Sequence, residues 1–214
     1  MASVYAVLYD KSGTFLMAKK QMKSYYTQAD GGKVNALGWT INSGPGEYAL
    51  PGGKLEEPNI EDGARREFLE ETGFNLPLSP DNNPPRTVKF NVKGGALPPN
   101  ATSFAFSAVY FCASEEDVEN AWSNISEIAL PNSRDIAGAI MRRHIKTYSE
   151  ITLYARKHGI KKWPADNELK WVWRWSFSNK NDWAKIESMK NDDNIGWYYC
   201  ILEYLCFHIL NRKV

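Results

Sequence analysis

Apolar positions crowd residues 3–20, where VYAVLYD and TFLMAKK flank a polar turn at 11–13. That pattern predicts a β-hairpin buried on at least one face. It then dissolves: residues 21–50 read as loop, with glycines at 31, 32, 38, 44 and 46, and end in the short apolar stretch EYALP. Residues 60–72 read as a helix, opened by Asn59 as N-cap and closed by Gly73. Six of the eleven prolines fall within 77–100, which makes that region loop, interrupted by one strand, RTVKFNV. The run SFAFSAVYFCA at 103–113 is strongly β-prone.

Residues 114–160 turn helical in character. EEDVENAWSNI is one helix; the longer RDIAGAIMRRHIKTYSEITLYARKHG takes Ser133 as cap, repeats Ile136, Ile140 and Tyr148, and stops at Gly159. Beyond Pro164 the pattern becomes strand-like. In LKWVWRWSF the period of two puts Trp171, Trp173, Trp175 and Phe177 on one face. A final apolar helix covers 195–210. No repeat, low-complexity tract or linker divides the chain, so one domain is expected over 1–214.

Composition narrows the function classes. Lys plus Arg number 26 against 25 Asp plus Glu, a balance that argues against a nucleic-acid binder working through bulk charge. With 8 Trp, 11 Tyr and 9 Phe the chain can bury a core. Cys112, Cys200 and Cys206 lack C-x-x-C spacing, and His144, His158 and His208 offer no zinc partner spacing. The longest apolar region, 197–210, is too short to span a membrane and carries Glu203 and His208. The N-terminus has no basic segment followed by a long apolar one. A cytoplasmic protein with reduced thiols is expected. In the terminal helix, Cys200, Cys206 and His208 read as core or interface, which leaves a homodimer open.

Chemistry concentrates at 50–74, LPGGKLEEPNIEDGARREFLEETGF. Glu67, Glu70 and Glu71 stand at i, i+3 and i+4, so all three carboxylates share one helix face. Like charges at that spacing repel by a few tenths of a kcal/mol per pair, roughly. A hard divalent cation, Mg²⁺ or Mn²⁺, between them would reverse the sign. Gly52 and Gly53 can bring main chain close to a ligand because they lack Cβ. Such a site suits phosphoryl chemistry, in which the metal lowers the pKa of a bound water and a carboxylate takes its proton. A solvated acidic face is the competing, non-functional reading of the same helix.

The segment resembles the Nudix box, G-x5-E-x7-R-E-U-x-E-E-x-G-U with U a bulky apolar residue: 66–74 fills its second half without mismatch, and LPGG at 50–53 matches its lead. The resemblance implies an α/β fold, an α/β/α sandwich around a mixed sheet, and metal-dependent hydrolysis of a nucleoside diphosphate linked to another moiety. It makes Glu67, Glu70 and Glu71 Mg²⁺ ligands, one of them or another carboxylate the base, Arg66 their orienting partner, and the Gly52 or Gly53 carbonyl a metal contact. The first half departs from the pattern. Counted from Gly53 the chain is one residue short; counted from Gly52, Pro58 stands where the first glutamate belongs, with Glu56 or Glu57 as its substitute.

The resemblance also extends to Asn167-Glu168-Leu169-Lys170-Trp171-Val172, which is similar to a distal family element whose acidic residue reaches the metal site, so Glu168 becomes a further ligand or base. Residues 114–165 are then a mostly helical insertion. Six of the eight tryptophans lie in 163–197; sheet core is the preferred reading for most of them, with Trp163, in a loop, as a base-stacking candidate. Lys54 and Lys93 could face a phosphate. Arg156, Lys157, His158, Lys161 and Lys162 form a basic patch, read first as complement to a helix dipole. The leading expectation is a pyrophosphohydrolase acting on a nucleoside triphosphate, nucleotide sugar or related small molecule. The alternatives are a nucleotide-binding or regulatory module with weak catalysis, and an allylic diphosphate isomerase with Cys112 as its catalytic cysteine.

Overall fold

A computed structural model describes residues 2–28, 32–35, 38, 40–41, 44–77, 83–93 and 103–213. Strand β1 (Ser3–Asp10) turns into β2 (Thr14–Lys20), as the apolar pattern predicts. Gly13, at φ 83°, takes the left-handed position of the turn, and Asp10 accepts from the Ser12 hydroxyl and the Thr14 N–H. The hairpin does not stay closed. Its one ladder pair is Tyr9 with Phe15, after which the strands diverge.

The wedge between them is filled from 48–54. After the short strands β3 (Thr27–Gln28) and β4 (Val34–Asn35), β5 (Tyr48–Ala49) pairs with β2, and β6 (Gly52–Lys54) crosses over to pair with β1. Strand β1 also pairs in parallel with β8 (Ser103–Ala113), and β8 is antiparallel to β7 (Arg86–Lys93). On the far side β9 (Leu169–Ser176) is antiparallel to β2. The sheet is therefore mixed.

Alternation along β1 divides the core in two. Tyr5, Val7 and Tyr9 face one side with Phe15, Met17, Tyr110, Trp175 and Phe177; Val4, Ala6 and Leu8 face the other with Leu16, Val109, Phe111 and Val172. Helices α5 (Lys180–Ser188) and α6 (Gly196–Tyr204) cover the first face through Ile186, Trp197, Tyr198, Ile201 and Leu202. Helix α1 (Ile60–Thr72) covers the second through Ala64 and Phe68; enclosing a side chain such as Phe68 is worth about 1.5–3 kcal/mol. An α/β/α sandwich around a mixed sheet results, as expected. Helix α5 was not read from the sequence, although Asn179 caps it by accepting from Asn181 N–H at 2.9 Å.

Of 114–165, read as an insertion, the first part packs with the sheet. Helix α2 (Glu115–Ser123) and the wider helical turn Asn124–Ala129 bury Val118, Ala121 and Ile125 beside Phe68 and Val109. The turn runs directly into α3 (Leu130–Met141), so Ser133 is an interior residue of α3 and not its cap. The long second helix is broken. Arg143 adopts φ 60°, and α4 (Tyr148–Lys157) restarts from Thr147, whose capping box with Glu150 closes both sides. Helices α3 and α4 make their own small core from Ile136, Ala139, Ile140, Ile145 and Ile151. Arg156 and Lys157 lie in the last turn of α4, where cations complement the dipole.

The alternation read in 169–177 holds for Trp173, Trp175 and Phe177 but not for Trp171, which is 44% exposed. The register slips between Lys19 and Lys20, so an extra β9 residue bulges there and Leu169 joins the α1 face instead. Trp122 Nε1 and Ser126 Oγ both donate to the Val172 carbonyl, at 3.0 and 3.1 Å, and Arg134 donates to that of Lys170 at 3.2 Å. Among the described residues no helix is long and apolar enough to cross a membrane. The division of 114–165 has a measurable consequence: Ile125→Ala should cost about 2–5 kcal/mol in chemical denaturation. Leu153→Ala, on the open side of α4, should stay within about 0.5 kcal/mol of the parent.

Candidate functional site

The carboxylates of α1 are placed by its two ends. Asn59 accepts from Glu61 N–H at 2.9 Å, and Gly73, at φ 69°, donates its N–H to Leu69 O at 2.8 Å. A Cβ at Gly73 would also lie 2.7 Å from the Trp163 carbonyl carbon. Between these caps Glu67 and Glu71 continue the line of Gly63 along the buried side, while Glu70 falls outside it at 41% side-chain exposure. The three glutamates share a helix face, yet only two turn inward.

What they turn toward is the glycine pair. Gly52 donates its N–H to Glu71 Oε2 at 3.1 Å, and a Cβ on it would lie 2.3 Å from the Val4 carbonyl oxygen. A Cβ on Gly53 would lie 2.6 Å from Glu67 Oε2. Only glycine lets β6 pass between β1 and the helix carboxylates at these distances. Arg66 binds the acids from outside: it donates to Glu57, to Glu67 at 2.8 Å, to Glu70, and to the Lys54 carbonyl at 2.9 Å. Glu57, rather than Glu56, thus takes the partner role that the shortened loop left open. Burial opposes the arginine's charge, but its carboxylate bonds, led by Glu57, hold it well above its ordinary range. The bond to Arg66 lowers the Glu57 carboxyl.

A second group of residues arrives from the segment before β9. Asn167, buried, accepts from Tyr25 N–H and from Tyr26 N–H at 3.1 Å and donates to Tyr26 O at 3.2 Å. Gln21 N–H donates to Glu168 O at 2.8 Å, and Asp166 N–H donates to Glu70 O at 2.8 Å. These bonds present Glu168 and Asp166 to α1. Glu71, Asp166 and Glu168 each offer an oxygen within 4.8 Å of the others. Lys20, at the end of β2, donates to Glu168 Oε2 at 2.9 Å and lies 3.9 Å from Glu71 Oε1.

Burial dominates the electrostatics here. Glu71, wholly enclosed, is pushed up to about 8 by desolvation against the pull of Lys20. Asp166 rises to about 7, by desolvation and then by the charge of Glu168. Glu67 is raised by desolvation despite Arg66. Desolvation works against the Lys20 ammonium too, but Glu71 and Glu168 outweigh it and keep its pKa above the usual lysine range.

The cavity these groups line has a volume of about 530 Å³. Lys20, Gly52, Gly53, Lys54, Glu67, Glu71, Asp166 and Glu168 line it together with Tyr5, Phe104, Trp197 and Tyr198. Among the described residues Trp197 Nε1, buried, has no hydrogen-bond partner. Lys54 reaches the cavity rim, its Nζ on Glu56 at 3.0 Å. Trp163 does not line the cavity: it sits in a separate cleft with Leu69, Gly73, Phe74, Lys161 and Lys162. Cys112 is buried in the sheet core beside Tyr9 and Tyr110. The Lys93 side chain lies outside the described residues. Sequence reasoning missed Asp166 and Lys20; two acids flanking Asn167 just before a predicted strand were the available signal for the first.

A glutamate-bearing helix under a glycine pair, set against the wedge of a mixed sheet in an α/β/α sandwich, defines the class. The sequence profile of the NUDIX domain matches residues 1–151, and the chain belongs to that family. No curated protein matches significantly. Among solved structures the chain is similar to a MutT protein from Methanosarcina mazei Go1 (23% identity, 52% of this chain and 61% of that one, TM-score 0.30). It is also similar to a NUDIX hydrolase from Nitrosomonas europaea (18%, 55% and 62%, 0.31). A third similarity is to the NUDIX domain of Shewanella oneidensis NrtR, solved with ADP ribose (14%, 53% and 60%, 0.34). The chain spans about three-fifths of the length of each. Asn167→Ala should test the mounting of the acids. Leaving buried donors unpaired costs roughly 1–3 kcal/mol each, so the urea midpoint should fall clearly with the m-value unchanged.

Proposed function

We propose that the protein is a Mg²⁺-dependent pyrophosphohydrolase that cleaves the diphosphate linkage of a nucleoside diphosphate joined to another group. The observation that carries this reading is the convergence of Glu67, Glu71, Asp166 and Glu168 on one cavity beneath Gly52 and Gly53. The donors are all oxygen, the chemistry a hard divalent ion takes. Glu71, Glu168 and Asp166 would hold the ion, with Glu67 beside them, and Mn²⁺ could replace Mg²⁺. When bound, such an ion polarises a phosphate and lowers the pKa of a water.

The chain's own residues supply the rest. Arg66 fixes the Glu67 rotamer by its 2.8 Å bond and keeps Glu70 on the outer side of the helix. The glycine pair leaves room for phosphate oxygens against main chain, and Lys54 at the rim is a counter-charge for the distal phosphate. Water adds to one phosphorus, a wall carboxylate accepts its proton, and the bridging P–O bond breaks to release two phosphorylated products. Tyr5, Phe104, Trp197 and Tyr198 offer an apolar wall for a base or another planar group, while Trp163 lies away from it. Membership of the family and the soluble composition are compatible with a cytoplasmic enzyme whose partner is a small nucleotide.

Phosphate release over nucleoside triphosphates, dinucleoside polyphosphates and nucleotide sugars, with and without Mg²⁺, tests the proposal. Cleavage of at least one class, abolished by EDTA, is expected. Glu71→Gln should lower kcat at least 100-fold, an effect on the order of 3 kcal/mol. Glu70→Gln, on the outer side, should lose less than 10-fold. Absence of cleavage across the panel, or a wild-type rate in Glu71→Gln, would sink the reading. Nucleotide binding without turnover would favour the regulatory module instead.

A further inference from the structure

Lys20 is the cavity's unexpected member. It closes β2, where the register slip against β9 occurs, and its main chain is held by donation to Glu47 O at 2.9 Å. Its side chain is 8% exposed, and the ammonium stands 2.9 Å from Glu168 and 3.9 Å from Glu71. Those two acids and Asp166 are the same three whose oxygens converge within 4.8 Å. A lysine ammonium is a compact cation with three donors, so it can bridge carboxylates that would otherwise repel. The acidic cluster is therefore already served by a positive charge built into the chain. No other Lys or Arg forms an ion pair with Glu71 or Glu168 among the described residues.

We propose that Lys20 is a positioning residue that fills one cation place in the acidic cluster, so that this chain takes one divalent ion fewer than its carboxylates could hold. The inference rests on the metal-dependent reading above, since it assigns the remaining carboxylate oxygens to divalent ions. Three points support it. The lysine is fixed at both ends, by its backbone bond and by Glu168. It is mostly buried, so solvent screens its charge only weakly. A second divalent ion added on the Glu168 side of the cluster would meet a like charge at close range. A lysine with a purely structural role would alter stability on removal but leave the number of bound ions unchanged.

Mn²⁺ titration of the full chain, with free ion followed by electron paramagnetic resonance, counts bound ions directly and does not depend on turnover. Lys20→Met and Lys20→Gln are each expected to bind one ion more than wild type, or to bind the weakest ion at least 10-fold more tightly. Equal counts and affinities overturn the inference while leaving the proposed function standing. One ion in the variants and none in wild type supports the inference and removes the metal-dependent reading of the natural chain. No Mn²⁺ bound by any of the three overturns both. Should the variants fail to fold, the ¹⁵N resonance of the Lys20 ammonium in wild type decides. A slowly exchanging signal that persists at saturating Mg²⁺ is expected; its disappearance on Mg²⁺ addition overturns the inference.

Discussion

The close passage of Gly52 and Gly53 between β1 and α1 is the constraint on which the cavity depends. It requires that β1 and β2 part after the Tyr9–Phe15 pair, because a closed hairpin would leave no edge for β6. It requires two successive residues without Cβ, one against the Val4 carbonyl and one against the Glu67 carboxylate. It also sets the depth of Glu71, whose carboxylate finds the Gly52 N–H only because the strand runs so near. The α/β/α layering follows from the alternation of β1, but the opening of its hairpin is what turns a packed sheet into one with a polar recess.

That recess stores unfavourable electrostatics. Burying Glu71 and Lys20 together sacrifices hydration that their mutual attraction recovers only in part. Desolvation is accordingly the leading influence on both raised acids. The segment is held nonetheless, because Asn167 and Gln21 tie it to residues 25–26 and to the end of β2 with bonds that do not involve the charges. The neutral amides carry the mounting, and the ionisable groups are what is mounted. Such a division lets the acids exchange partners without loosening the loop.

How much of this could be read from the chain depended on the range of the interaction. Helix α1 was legible to both caps, because Asn59 and Gly73 act within one turn of it. Strands β1, β2 and β8 announced themselves by apolar density. The fate of Glu70 was not legible, since helical spacing gives a shared face but not which edge of that face meets the sheet. Ser133 looked like a cap because its neighbours are polar, yet α3 was already running from Leu130 with Pro131 in its first turn. Trp171 keeps the register of Trp173 and Trp175, but the pairing slips just beyond it and puts Leu169 on the α1 face, a break that no local pattern marks. Lys20 and Asp166, 146 positions apart in sequence, line one cavity with nothing local to mark them. Glu57 was one of two candidates, and only the reach of Arg66 chose between them.

The capped margin of β9 has a consequence for the protein in a crowded solution. A sheet that ends in bare carbonyls and amides is a template on which another chain can lay a strand, the first step toward filaments. Here the Val172 oxygen is claimed twice, by an indole and a hydroxyl from α2 and the turn after it, and the Lys170 oxygen by a guanidinium from α3. Arg134 then stacks on Trp171, its guanidinium carbon 4.8 Å from the ring centre, and covers the most exposed aromatic of that strand. The helices that follow β8 thus act as a selvedge, finishing the fabric of the sheet so that it does not unravel into its neighbours.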